Sequence, residues 1–177
     1  GAAEQGTQSL ISLLTAAFGI GFAFCIWWIY FDFLSRRHPK GNVWALFSWS
    51  YLHMPLVMSI AALGAGSLIL LADLNAPLSD NVRWLFTGAT AVALLAMAAI
   101  EVTLHRSDTE VTDFRVSEGM KVVGALVALG LGAFGAGVGR LPLLGLLLIP
   151  FLIQMVYGVY TWYNRDDESI ATDHYHG

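Results

Sequence analysis

Charged side chains are scarce in this sequence. Only 12% of the 177 residues are Asp, Glu, Lys or Arg, whereas a soluble domain carries about 25%. Hydrophobic residues instead account for 56%, and the mean hydropathy is +0.64. This composition predicts an integral membrane protein. The net charge is −4, and the absence of a basic face argues against nucleic acid as a partner.

Cysteine is also scarce, because Cys25 is the only one. An intramolecular disulfide is therefore excluded, and cysteine usage does not indicate a redox compartment. The first residues, GAAEQGTQS, contain neither a methionine nor a positively charged region. They do not resemble a signal peptide.

Long apolar runs occupy most of the chain. A helix needs about 20 mostly apolar residues to cross the hydrocarbon core of a bilayer. Apolar and polar residues do not alternate within the runs, as a membrane β-barrel would require. The predicted fold class is therefore all-α, a polytopic membrane protein with about five transmembrane helices. Their approximate positions are 10–34, within 43–71, 84–104, 119–138 and 141–163.

Two of these segments leave alternatives open. The second is too long for one perpendicular crossing, so either its start lies at the membrane interface or its helix tilts. Only GRLP, residues 139–142, separates the last two segments. A glycine, an arginine and a proline favour a tight turn between two spans. A single re-entrant pair is the alternative.

The basic residues predict an orientation, because cytoplasmic loops are enriched in Lys and Arg. Five spans place the N-terminus outside and the C-terminus in the cytoplasm of a bacterial inner membrane. In that arrangement seven basic residues fall on the cytoplasmic side, and Arg83 and Arg140 fall on the other. The seven are Arg36, Arg37, Lys40, Arg106, Arg115, Lys121 and Arg165.

No domain boundary is visible within residues 1–164, which we predict to form a single helical transmembrane domain. Residues 165–177, RDDESIATDHYHG, are polar and are predicted to form a disordered cytoplasmic tail. His174 and His176 lie in this tail without a third ligand nearby, so no metal site is predicted.

Three ionisable residues inside the spans are candidate functional positions: Asp32, His53 and Glu101. The predicted orientation places all three in the cytoplasmic half of the bilayer. They could form one polar cluster, in which Asp32 pairs with His53. Alternatively, Asp32 forms an ion pair with Arg36 four residues later, His53 is a neutral hydrogen-bonded histidine, and Glu101 turns to the bases of the loop.

Proline and glycine indicate where the helices bend and pack. Pro55 removes one helix hydrogen bond and frees the carbonyl of Tyr51, so a kink beside His53 either forms a small polar pocket or serves packing alone. Small residues permit close helix packing, and we predict such contacts at Gly64 and at the GxxxG pair Gly135 and Gly139. The GLGAFG stretch follows no strand, so a dinucleotide site is rejected.

Two segments resemble a known family, the low temperature requirement A (LtrA) proteins, which are polytopic membrane proteins of bacteria. In that family a WW-x-YFD segment precedes a basic loop and a YLH-x-PL segment. Here the matching residues include Trp27, Trp28 and Tyr30, and then Tyr51, His53 and Pro55. Because it has no ELFFDLVFVFA-like segment, the chain resembles the C-terminal half of the family, a truncated relative or one piece of a split protein. The resemblance implies a membrane fold and supplies no reaction.

The residues favour a structural function over an enzymatic one. No nucleophile–base pair, HExxH or phosphate loop is visible, so we predict that the chain is not an enzyme. We predict an accessory or structural subunit of a larger membrane complex, in contact with lipids and with other subunits or copies of itself. The alternative is an oligomeric transporter or channel for protons, ions or a small solute. The cofactor is unknown, with pigment or haem ligation by His53 as one variant.

Overall fold

The structure is a computed structural model. It describes residues 2–35, 37–74, 77–105 and 112–173, with side chains for 4–35, 37–74, 77–105 and 112–164. Within these residues it contains five α-helices and a short π-helical turn, Tyr30–Leu34, which continues the first helix. The helices are α1 (Ala2–Ile29), α2 (Val43–Ala72), α3 (Asp80–Thr103), α4 (Phe114–Phe134) and α5 (Arg140–Asp173).

All five helices are long and apolar enough to cross a bilayer, which confirms the predicted fold class. Polar side chains fix the starts of three of them. The Asn42 side chain accepts a hydrogen bond from the backbone N–H of Ala45 at 2.7 Å. Ser79 and Asp113 cap α3 and α4 in the same manner. These caps satisfy backbone donors that have no partner within the helix.

The helix bounds differ from the predicted ones at the end of the chain. The fourth span begins and ends earlier than predicted, at Phe114–Phe134, so the glycine-rich stretch after Phe134 belongs to the turn before α5. Helix α5 continues to Asp173, into the segment 165–177 that the sequence predicts to be disordered. Helices α4 and α5 are each long and apolar enough to cross the bilayer, which favours two separate spans over the re-entrant pair.

Helix α3 forms the centre of the fold. Its most apolar stretch is 67% buried, whereas the corresponding stretches of the other four helices are 22–33% buried. Residues such as Phe86, Leu94 and Met97 of α3 are fully buried against the surrounding helices. The outer helices expose many large apolar side chains, as expected for surfaces that face lipid rather than water.

Glycines allow close approach between helices at particular positions. An added Cβ at Gly66 would lie 2.9 Å from the Phe86 ring, and one at Gly124 would lie 2.8 Å from Pro150. At Gly64, by contrast, an added Cβ would have nothing within 4 Å. The predicted pair Gly135 and Gly139 lies in the turn that joins α4 to α5. It does not lie at a contact surface between two packed helices. Close packing therefore uses other glycines than those the sequence analysis selected.

The connecting segments define the two ends of the bundle. The backbone of Lys40 donates to Thr103 O at 3.0 Å, and that of His105 donates to His38 O at 2.8 Å. This short antiparallel bridge holds the α1–α2 loop against the end of α3. At the opposite end, Arg83 donates to Gly132 O and Arg140 donates to Leu70 O. These cations complement the carbonyl ends of α4 and α2.

Candidate functional site

The most concentrated polar site is a buried ion pair between α3 and α4. Lys121 donates to Glu101 Oε2 at 2.5 Å, and both side chains are completely buried. Glu101 lies in the last turns of α3, and Lys121 lies two turns into α4. An ionised pair inside a bilayer protein is costly to desolvate. It persists only when further hydrogen bonds satisfy both groups.

Those further hydrogen bonds come from the α1–α2 loop, from α4 itself and from α5. Arg37, in the α1–α2 loop, donates to Glu101 Oε1 at 2.9 Å. Ser117 lies one turn before Lys121 on the same face of α4, and its hydroxyl accepts from Lys121 at 2.7 Å. Gln154 of α5 donates to the Ser117 hydroxyl at 3.1 Å. The site thus joins α3, α4, α5 and the α1–α2 loop.

A second acid completes this site. Glu118 lies on α4 one residue after Ser117 and three before Lys121, and its electrostatic environment includes Glu101, Lys121 and Arg37. Its Oε1 atom is buried and has no hydrogen-bond partner within the described residues. We call Arg37, Glu101, Ser117, Glu118, Lys121 and Gln154 the ionic cluster. Its two cations and two acids can balance one another.

The π-helical turn forms one wall beside the ionic cluster. The Lys121 ammonium lies 5.4 Å from the centre of the Phe33 ring, a distance at which a cation is attracted to the ring face. Ser35 donates its backbone N–H to Tyr30 O at 3.0 Å, and this i to i+5 bond widens the last turn of the first span. Such π-turns occur frequently at functional sites.

Asp32 lies outside the ionic cluster. Its carboxylate points towards α5, where an added Cβ at Gly158 would lie 2.7 Å from Asp32 Oδ2. No described residue forms a hydrogen bond or ion pair with this carboxylate. The predicted ion pair with Arg36 lies outside the described residues.

His53 is bound to Tyr30 and not to Asp32. Its Nδ1 lies 2.6 Å from Trp49 O, a carbonyl that can only accept, so Nδ1 donates, and its Nε2 lies 2.8 Å from the Tyr30 hydroxyl. Both ring nitrogens are therefore occupied. Ligation of haem or a pigment metal would require the Tyr30 hydroxyl to leave. The structure thus separates the three predicted polar residues into three environments.

Removal of the Tyr30 hydroxyl tests this assignment. We expect Tyr30→Phe to lower the free energy of unfolding by about 0.5–1.5 kcal/mol, because His53 Nε2 loses its partner in a partly buried position. The matched control is Tyr51→Phe, since Tyr51 is 65% exposed. Thermal unfolding in detergent measures both changes. An equal effect in the two variants would contradict a specific role for the Tyr30 hydroxyl.

Sequence reasoning found Glu101 and missed most of its partners. In the sequence, Lys121 and Arg37 indicate only the orientation of the chain in the membrane. In the structure, both side chains are buried. The available signal was Ser117 followed four residues later by Lys121, which places two polar groups on one helix face. Gln154, within the last span, is the corresponding signal in α5.

Comparison with known families now decides the relationship. The family model described as bacterial low temperature requirement A protein (LtrA) matches residues 1–158. The chain belongs to the LtrA family. The match includes every residue of the ionic cluster and both segments that carried the resemblance. With five helices able to span a bilayer, this LtrA protein is a multi-pass membrane protein. No curated protein and no solved structure matches the chain.

Proposed function

We propose that this LtrA protein transfers protons across the membrane, and that the ionic cluster is its proton-binding site. The observation that carries the proposal is Glu118, a half-buried acid at the ionic cluster whose Oε1 atom is buried and lacks a hydrogen-bond partner in the described part of the chain. Two neighbouring carboxyl groups can share one proton. Ionisable groups inside membrane spans typically belong to ion or proton pathways.

The chemistry assigns a role to each member of the ionic cluster. Glu118 takes up or releases the proton, and Glu101 is the neighbouring carboxylate that can share it. Lys121 and Arg37 offset the negative charge when Glu118 is deprotonated. Ser117 orients both charged groups, because its hydroxyl accepts from Lys121 and donates to Glu101 Oε2 at 3.3 Å. Gln154 in turn holds Ser117.

The path beyond the ionic cluster requires a conformational change. From Thr90 to Glu101, the intervening residues of α3 are all apolar, a distance of about 16 Å at 1.5 Å per residue. Along α3, the described conformation therefore offers no proton-carrying side chain between these two residues. We assign transport to an alternating movement of α4 and α5 against α3, because α3 is the buried centre and the other helices lie around it.

Proton flux in liposomes tests the proposal. The purified protein is reconstituted with a pH-sensitive dye inside, and a potassium gradient with valinomycin sets the membrane potential. We expect Glu118→Gln to lower the flux about tenfold or more, since the amide cannot exchange the proton. The matched control is Glu4→Gln, an exposed acid in the first turn of α1, which should keep wild-type flux.

Two results would contradict the proposal. One is a wild-type flux no greater than that of empty liposomes. The other is full flux in a folded Glu118→Gln variant. The protein's elution as a single symmetrical peak from size-exclusion chromatography establishes folding in each case.

The second candidate function is that of an accessory subunit of a larger membrane complex. An outward-facing groove of about 270 Å³ lies between α4 and α5, and all nine of its lining residues are apolar or glycine. Gly124 and Pro150 contact each other closely within this groove, and a helix of another subunit would fill it by van der Waals packing. Co-purification with a defined complex from native membranes, without proton flux, would favour this function over transport.

A further inference from the structure

A second site lies at the end of the first span, apart from the ionic cluster. Four residues line a pocket of about 150 Å³: Trp27, Trp28, Phe31 and Asp32. Trp27 and Phe31 are four residues apart, as are Trp28 and Asp32, so the helical spacing places two neighbouring pairs on one surface. The Trp27 and Phe31 rings lie 5.3 Å apart, centre to centre. We call these four residues the aromatic pocket.

The chemistry of the aromatic pocket is that of a cation receptor. Ring faces of tryptophan and phenylalanine attract large, weakly hydrated cations, and rings combined with an acid are typical of sites for substituted ammonium groups. Asp32 supplies the negative charge, and it has no hydrogen-bond or ion-pair partner among the described residues. Gly158 of α5 lies beside the carboxylate, because its missing side chain lets that helix approach Asp32.

Other ligands fit this pocket less well. A bound metal ion needs several oxygen, nitrogen or sulfur ligands, and the pocket offers one carboxylate. The described residues contain no group of three or more His, Cys, Asp and Glu side chains that could hold a metal ion. An anion would be repelled by Asp32. The pocket is also smaller than the volume of about 300 Å³ or more that drug-sized ligands occupy.

We propose that the aromatic pocket binds a substituted ammonium group, supplied either by an amine-containing lipid headgroup or by a small organic cation. The position agrees with both sources. The pocket adjoins the α1–α2 loop, where Lys40 is exposed, and Trp27 and Phe31 are 53% and 48% exposed. Trp27 and Trp28 lie in the last part of the first candidate span, Glu4–Leu34, and tryptophan near the end of a span is typical of the headgroup region of a bilayer. The proposal is independent of the proton-transfer function.

Fluorescence titration tests the proposal, with tetramethylammonium chloride as the probe and sodium chloride at equal ionic strength as the reference. In detergent we expect a saturable change in tryptophan fluorescence with tetramethylammonium only. Asp32→Asn should weaken the apparent affinity about tenfold, and Trp27→Leu should remove most of the signal. The control is Trp44→Leu, since Trp44 lies on α2 outside the pocket and is 82% exposed.

Nanodiscs distinguish the two sources of the ammonium group. If the lipid headgroup is the ligand, discs containing phosphatidylethanolamine will compete with tetramethylammonium, and discs of phosphatidylglycerol alone will not. If the ligand is a free cation, binding will be equal in both. Either result supports the aromatic pocket as the site.

Three results would overturn the proposal. One is an identical response to tetramethylammonium and sodium. Another is unchanged affinity in Asp32→Asn, whose folded state is checked by thermal unfolding. The third is tetramethylammonium binding that appears in Arg36→Gln but not in the wild type. Arg36 follows Asp32 by four residues, and that result would mean that its guanidinium normally occupies the pocket.

Discussion

Replacing Lys121 with methionine will lower the free energy of unfolding by about 3–5 kcal/mol. Methionine has a similar shape and removes the charge, so the buried Glu101 carboxylate keeps only Arg37 as its cation. The substitution leaves Arg37 as the one cation, among the described residues, beside the carboxyl groups of Glu101 and Glu118. Negative charge therefore stays under-compensated in the protein interior, and the cost of such a broken buried pair gives the magnitude. For a chain of this length the change corresponds to a fall of about 6–20 °C in Tm.

The matched control for this substitution is Arg115→Met. Arg115 is a cation on the same helix, less than two turns away, and it is exposed. We expect it to change Tm by only about 1–2 °C, since exposed charges contribute little. Thermal unfolding of the detergent-purified protein, followed by loss of the monodisperse chromatographic peak, measures both variants. Equal shifts for Lys121→Met and Arg115→Met would show that Lys121 is not buried in an ion pair.

Two glycines on α4 will respond differently to replacement by alanine, because only one of them is in close contact with α3. At Gly132 an added Cβ would lie 2.7 Å from Thr87 Oγ1 and 2.8 Å from the Trp84 ring. Gly132→Ala should therefore destabilise the protein by about 1–3 kcal/mol, because α3 and α4 must separate or Trp84 must move. Gly132 also supplies the carbonyl that accepts from Arg83 at 3.1 Å, so any separation of the two helices weakens that hydrogen bond.

At Gly130 an added Cβ would meet nothing within 4 Å. Gly130→Ala should leave stability unchanged or raise it by up to about 1 kcal/mol, because alanine has the higher helix propensity. The two variants differ by one methyl group in the same helix, so their difference isolates the α3–α4 contact. Chemical or thermal unfolding of both variants checks the signs. Destabilisation of similar size at both positions would contradict the described packing of α4 on α3.

Much of the fold was predictable from the sequence because the bilayer imposes one strong rule. Apolar runs of about 20 residues must be helices in lipid, and five such runs become five helices here.

The bounds of α4 were not predictable in this way. Its first turns contain Arg115, Glu118 and Lys121, which lower the hydropathy, although the fold buries Lys121 completely.

The candidate site was predictable only in part. Glu101 was predictable as a candidate because it is an ionisable residue within an apolar span. Its predicted depth in the bilayer does not show which faces of the helices contact each other. The long-range partners Arg37 and Lys121 come together at Glu101 through the arrangement of α3, α4 and the α1–α2 loop. His53 shows the same limit, since its bond to Tyr30 depends on the relative rotation of α1 and α2. The local spacing that forms the aromatic pocket, by contrast, is visible in the sequence.

The most direct measurement of the central claim is a double-mutant cycle on Glu101 and Lys121. Unfolding free energies are measured for the wild type, Glu101→Gln, Lys121→Met and the double variant. We predict a coupling energy of about 2 kcal/mol or more, with the double variant more stable than the sum of the single effects allows, because neither charge is then left buried alone. Additive effects, with coupling below about 0.5 kcal/mol, would contradict a buried Glu101–Lys121 pair as the core of the site.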